Sequence, residues 1–408
     1  MDATIAGARR DAPLGGLFAC VALLWIGGVG LRVTILAVPP LIRLIHSDLN
    51  LTETEVGVLS GLPPVLFVFA AVPGSLLIAR LGARTAVIAG LLATALGCAL
   101  RGAVPDFALL CAATVLTGLG VAVMQPAMPP LVRAWLPERI GFGTAVYANG
   151  LLVGEIIPVA LTVPLVLPLV GGSWRLAFVA WAVPCAVIAL ALIAFAPRTA
   201  DTGAATAPRR WWPDWRSGLI WRLGLMFGAN NATYFATNGF IPDYLHHVGR
   251  PGLISAALSA LNIGQLPASL ILLGCAGRLI GRAWPYAACG ALSLACVLGI
   301  LFGSGPVILV AAAALGFSGA VTLTLMLTLP ALLSDPDDVH RTTAAMFTIS
   351  YSCAVLVPIV SGFFWDASGI PAMAFVPIGL CNLLLIMLAP TLHPRSDETA
   401  GPKAGRPA

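Results

Sequence analysis

The chain has 408 residues, of which 59% are hydrophobic and only 10% charged, with a formal net charge of +5. Soluble domains usually carry about 25% charged residues. This balance, with a mean hydropathy of +0.96, excludes a soluble module and points to an integral membrane protein.

Twelve apolar runs, each about 20 residues long or slightly more, follow one another at 17–41, 56–79, 85–104, 107–132, 142–167, 174–196, 217–241, 253–276, 284–302, 306–332, 342–364 and 371–389. No alternating strand pattern competes with them, and a backbone in lipid must satisfy its own hydrogen bonds, so each run predicts a helix. The first run is long, holds Arg32 and has no small-residue cleavage site, so it is expected to remain as a span rather than to be removed as a signal peptide.

Between the sixth and seventh runs lies a polar, basic, proline-bearing stretch. The expected organisation is therefore a six-helix bundle over 1–196, a linker over 197–217, and a second six-helix bundle with a short tail over 218–408. Trp211, Trp212 and Trp215 in that linker read as an interfacial anchor. All Lys and Arg residues except Arg32, Arg43, Arg101, Arg175 and Arg250 fall on the side of the termini and the linker, which predicts that both termini are cytoplasmic. The positive charge thus reflects topology and does not call for nucleic acid.

The halves echo each other at an offset of about 200 residues, as secondary transporters with internal repeats do. Leu59-Ser60 recurs as Leu258-Ser259, Arg80 with Arg84 as Arg278 with Arg282, the segment ending at Pro158 as that ending at Pro358, and Ala177-Phe178 as Ala374-Phe375. Four echoes in chain order predict two pseudo-symmetric bundles facing each other across a cavity.

Polar residues can be ranked by depth, because a helix rises about 1.5 Å per residue. Arg32, Glu155, Asn230 and Gln265, on runs one, five, seven and eight, all come out about 20 Å from the cytoplasmic ends, where a solute site at a repeat interface would lie. A charge at that depth is expensive and by default functional. Arg32 is a candidate anchor for an anionic or strongly dipolar solute, and Glu155 a candidate counter-ion or proton-coupling site. The two could also be a purely structural buried pair.

Asn230, Tyr234 and Asn238 recur every four residues with Asn231 beside them, giving a polar stripe that either lines the cavity or bonds helix to helix. Gln125 lies lower, beside Pro126. That proline, with Pro39, Pro40, Pro63 and Pro64, marks places where a moving helix could bend or a static one could kink. Arg101, near the outer end of run three, could snorkel to the headgroups or lure external anions.

The nine cysteines lie singly in apolar runs and read as packing residues. The histidines sit at helix ends or in loops. No metal, cofactor, nucleotide-binding or nucleophile motif is evident, so an enzyme is not expected and energy should come from a gradient.

Twelve helices, two halves and a basic central loop resemble the major facilitator superfamily. The segment Ala79-Arg80-Leu81-Gly82-Ala83-Arg84 is similar to that superfamily's D-R-x-G-R-R motif, with Ala79 in place of the acid; Arg80 and Arg84 are its candidate conformational residues. Gly150 to Glu155 resembles the start of the antiporter motif G-x-x-x-G-P with Glu155 in place of proline, which counts against a drug/proton antiporter. Within the superfamily, Leu31-Arg32 with Pro39-Pro40-Leu41, Leu59 to Pro63, Leu100-Arg101, Gly118 to Pro129 and Gly264-Gln265 resemble the cyanate permease and 2-nitroimidazole transporter group.

That resemblance implies movement of a small anionic or polar solute by alternating access, with Arg32, Arg101, Gln125 and Gln265 as site residues. The expectation is a monomeric inner-membrane secondary transporter, with protons as a candidate coupling ion and no cofactor. A multidrug exporter is the alternative, and a non-transporting sensor or scaffold is disfavoured by the lack of a sizeable soluble module.

Overall fold

The computed structural model describes residues 14–51, 53–197 and 211–392. Span 1 starts as Leu14–Gly30 and then loses regular helical form, passing through turns over 31–38 and a 3-10 turn, Pro39–Leu41, into a short helix, Ile42–Leu49. Spans 2 and 3 lie within Glu53–Arg101 and part at Gly82, whose φ of 80° and ψ of 159° suit only glycine. Span 4 is Phe107–Trp135. Span 5 is Ile140–Leu161, prolonged by a π-helical stretch, Thr162–Val166, and span 6 is Trp174–Phe195.

In the second half, span 7 is Gly218–His247, and span 8 is Ile254–Ile263 followed, after Gly264, by Gln265–Leu279. Spans 9 to 12 are Trp284–Phe302, Gly305–Leu333, Val339–Ser368 and Phe375–Leu388. All twelve apolar runs therefore become helical spans. Among the described residues, nine helices are long and apolar enough to cross a membrane. The shortfall has a physical origin: spans 2 and 3 run together, span 1 is cut short before Arg32, and span 7 is diluted by its amides.

The two bundles pack alike: span 1 lies on span 5 as span 7 lies on span 11, and span 3 lies on span 6 as span 9 lies on span 12. Between them runs a seam in which span 5 meets span 8 and span 2 meets span 11. We call near the side where span 1 begins and span 12 ends, and far the other.

The seam is sealed on the near side. Arg133 at the end of span 4 donates to the carbonyls of Ala331 (2.8 Å) and Ser334 (2.9 Å) at the end of span 10, a favourable place for a cation against the exposed carbonyls of a helix C-terminus. Ser75 of span 2 donates to the Trp211 carbonyl and Arg341 of span 11 to the Trp212 carbonyl, so the end of the linker bridges both halves. On the far side, Arg175 and Trp174 hold Asp48 within the first half, and Tyr244 donates to the Leu301 carbonyl within the second.

The proline expectations divide. Spans 2 and 4 run helically through Pro63, Pro64 and Pro126, whereas Pro39 and Pro40 open the 3-10 turn that follows the break in span 1. Arg84 donates to the carbonyls of Leu192 and Ile193 at the end of span 6, while Arg80 is exposed.

Candidate solute site

Span 1 was expected to continue as a helix through Arg32, and it does not. Beyond Gly30 the amides of Leu31, Arg32, Ile35 and Val38 reach back only three residues, to Gly28, Val29, Arg32 and Ile35, while those of Val33 and Leu36 keep four-residue bonds to Val29 and Arg32, so the segment winds irregularly between the two helical patterns. Non-helical backbone at this depth is tolerated where it lines a cavity, and Arg32 does so. The glycines at 27, 28 and 30 were the available signal for the break.

Span 5 is pressed against span 1 by its glycines. A Cβ on Gly150 would lie 2.1 Å from the Trp25 carbonyl oxygen, and one on Gly154 would lie 2.5 Å from that of Val29. Small residues at this spacing permit close approach of membrane helices. The next residue, Glu155, is thereby set beside Arg32, with Oε1 3.3 Å from Nε. The pair is in ionic contact without hydrogen-bond alignment, since Nε has no hydrogen-bond partner. The side chains keep 14% and 23% of their surface accessible, and both residues line a cavity. Solvation there lets the pair separate for less than the several kcal/mol that a sealed pair would cost (about 3–5).

Arg32 Nη2 donates to the Tyr351 hydroxyl at 3.2 Å, and Gln125 Nε2 donates to the same oxygen at 3.1 Å. Tyr351, on span 11, thus bridges the halves, with Phe67 packed 4.8 Å from it, ring to ring. Among the described residues, only one of the five guanidinium N–H groups makes a hydrogen bond, the one to Tyr351.

A central cavity with about 680 Å³ of empty volume is lined by Arg32, Gln125, Glu155, Asn230, Asn231, Tyr234, Gln265 and Tyr351, with Phe227, Phe235 and Phe347 among its apolar walls. It shares Glu155, Tyr234 and Gln265 with a second, more open cavity between spans 1, 5, 7 and 8 in the far half, which adds Pro39, Asn238 and Asn262. Below both, Asn149 accepts from Trp25 Nε1 and donates to Ser269 across the seam at 2.9 Å. The path to Arg32 therefore leads from the far side and stops at a hydrogen-bonded floor.

The four residues ranked at one depth are brought to one cavity. The span 7 stripe both lines it and bonds helices: Asn230 donates to the Gly319 carbonyl, Asn231 to Ser350, and Tyr234 to Asn262 at 2.6 Å. Asn238 donates to the Tyr234 carbonyl, and Gln265 to the Tyr234 hydroxyl and to Asn262.

Arg101 is the correction. It lines neither cavity and does not snorkel; it is completely buried within the first half. Sequence reasoning missed Tyr351 and Asn262. Asn262 lies three residues before Gln265 on the same span and so carried the spacing signal applied to the other polar groups, whereas Tyr351, nine residues into its run, lies short of the common level and carried none.

Comparison with known proteins agrees with this geometry. The sequence model of the Major Facilitator Superfamily matches residues 21–248 and 223–408. The chain belongs to the Major Facilitator Superfamily. It is a secondary transporter of alternating-access type and not an enzyme. Over 383 residues it is 27% identical to the cyanate transport protein CynX of Escherichia coli K12, covering 90% of this chain and 96% of that protein. It is 25% identical over 371 residues to the 2-nitroimidazole transporter of the same organism, covering 87% and 90%. The fold matches FucP, a superfamily transporter solved in its outward conformation, with a TM-score of 0.73 at 17% identity over 92% of this chain and 99% of FucP.

Proposed function

We propose that this superfamily member carries a small anionic or polar organic solute across the inner membrane. Arg32 is the principal anchor, and Gln125, Asn230, Asn231, Tyr234, Asn238 and Gln265 are further contacts. The observation that carries the reading is Arg32, set at a break in span 1 with unused N–H groups facing a cavity between the halves. Relatives named for cyanate and 2-nitroimidazole support a solute of that size and polarity. With the basic residues gathered on the near side, the near side is cytoplasmic and the cavity faces outward.

Glu155 neutralises Arg32 at rest. A solute that takes the guanidinium leaves the carboxylate without its partner, so proton uptake by Glu155 is the coupling step. A second reading, export of bulkier compounds, is favoured by the mostly apolar wall of the second cavity.

Uptake of labelled cyanate and 2-nitroimidazole, with a thermal-shift screen of small anions and azoles, tests this. Arg32→Ala should abolish uptake while membrane expression persists; normal transport by that variant would refute the anchor. Glu155→Gln should flatten the pH profile of transport, and an unchanged profile would reduce Glu155 to a structural partner.

A further inference from the structure

Arg101 stands at the end of span 3 with no accessible surface, and among the described residues no carboxylate forms an ion pair with it. A buried cation without a counter-charge is costly unless its hydrogen bonds compensate. Arg101 Nε donates to Thr114 Oγ1 on span 4 at 3.1 Å, and Nη1 donates to the carbonyl of Thr34 at 3.0 Å. The Thr114 hydroxyl spends its own proton on the Leu110 carbonyl, which leaves its oxygen to accept from Arg101. The guanidinium carbon also lies 5.5 Å from the centre of the Phe178 ring on span 6.

Thr34 lies inside the broken part of span 1, two residues beyond Arg32. In a continuous α-helix its carbonyl would accept from the Val38 amide, but that amide donates to Ile35 instead. Among the described residues no backbone amide donates to the Thr34 carbonyl, and the acceptor so released is the one that Arg101 takes. One charge-assisted bond thus reduces two costs, a buried cation and a carbonyl without a backbone donor at membrane depth, although Arg101 Nη2 keeps no partner among the described residues.

We infer that Arg101 is a positioning residue: by holding the Thr34 carbonyl away from the Val38 amide it keeps span 1 open beyond Gly30 and so sets where Arg32 stands in the cavity. The inference rests on the transport reading only in naming Arg32 as the group positioned. It gives Arg101 a role without solute contact, consistent with its absence from the cavity walls. Forming the missing bond from Val38 to Thr34 would tighten the turn over 34–38 and change the course of the chain next to Arg32.

Hydrogen exchange followed by mass spectrometry on the purified full chain tests this without any solute. In Arg101→Ala the Val38 amide should shift to Thr34, so peptides covering 31–38 should exchange roughly tenfold more slowly relative to spans 3 and 4. A Leu36→Cys thiol, in the second cavity, should change its labelling rate in parallel. A purely structural role would speed exchange in all of the first half together. Unchanged or faster local exchange in 31–38 would overturn the inference. Arg101→Lys keeps the cation and loses the fork, and it carries the same test if the alanine variant fails to fold: slower exchange of smaller size supports the role, and a wild-type pattern overturns it. Since no solute enters, failure here leaves the transport reading intact, and failure of the Arg32→Ala uptake test leaves this one intact.

Discussion

Spans 1 and 7 hold equivalent places in the two halves, each lying on the fifth span of its own bundle, yet they meet the cavity in opposite ways. Span 1 breaks, offers a charge and needs Arg101 from outside to satisfy the freed Thr34 carbonyl. Span 7 stays helical over Gly218–His247 and offers neutral amides whose hydrogen bonds run to neighbouring spans of its own half. The difference teaches where binding and support are divided: a charge at this depth must be aimed and partly neutralised, whereas an amide can serve packing and cavity at once. The second half has only a slight irregularity in comparison, at Gly264 of span 8, which keeps helical dihedrals beside the Asn262 and Gln265 that complete the polar wall.

The sharpest way to break the comparison is at Tyr351, where the charge of span 1 is tied to the second half. Tyr351→Phe removes the acceptor shared by Arg32 and Gln125 and leaves both donors unanswered, at a cost of about 1.5–3 kcal/mol for a bond to a charged group. Apparent solute affinity should fall about tenfold or more while expression holds; an unaltered KM would show that the tyrosine does not orient Arg32.

A smaller effect is expected within span 7. Asn231→Leu removes the 2.8 Å bond to Ser350, which is buried. Interhelical hydrogen bonds in membranes average about 0.6 kcal/mol and reach about 1.7. The free energy of unfolding should fall by an amount in that range, read as a small downward thermal shift, with pH dependence of transport unchanged; a collapse of transport equal to that of Arg32→Ala would erase the distinction between the two spans.

The smallest effect concerns the far-side helix after span 1. Hydrogen bonds from Arg175 and Trp174 hold the Asp48 carboxyl below its ordinary range. A carboxylate whose pKa is lowered on folding stabilises the fold above its unfolded value, about 3.9, and that contribution is lost as pH falls through the lowered folded value. The melting temperature of wild type minus that of Asp48→Asn should therefore be small, positive and constant above about pH 4, and shrink below it. A difference that grows on acidification would contradict the tether.

Much of the site was legible because helical rise is uniform: counting residues from span ends placed Arg32, Glu155, Asn230 and Gln265 at one level, and one cavity holds all four. Tyr351 escaped because a phenol in an apolar run reads as packing until its hydroxyl is seen between two donors. Arg101 was misread for a related reason. Distance along a helix fixes depth, but not whether a side chain faces lipid, cavity or bundle, and here the bundle took it.

The sequence by itself determined that the chain is a membrane protein, that it has twelve spans in two related halves, and that a guanidinium and a carboxylate lie at mid-membrane depth. Hydrophobic length and the cost of charge in lipid allow little else. Only the tertiary structure decided that span 1 opens before Arg32, that Arg101 rather than a backbone amide satisfies Thr34, and that the cavity is sealed on the near side. Those outcomes depend on which groups from distant spans arrive at one point, and hydrogen-bond partners from 67 to 319 residues apart leave no local pattern in the chain.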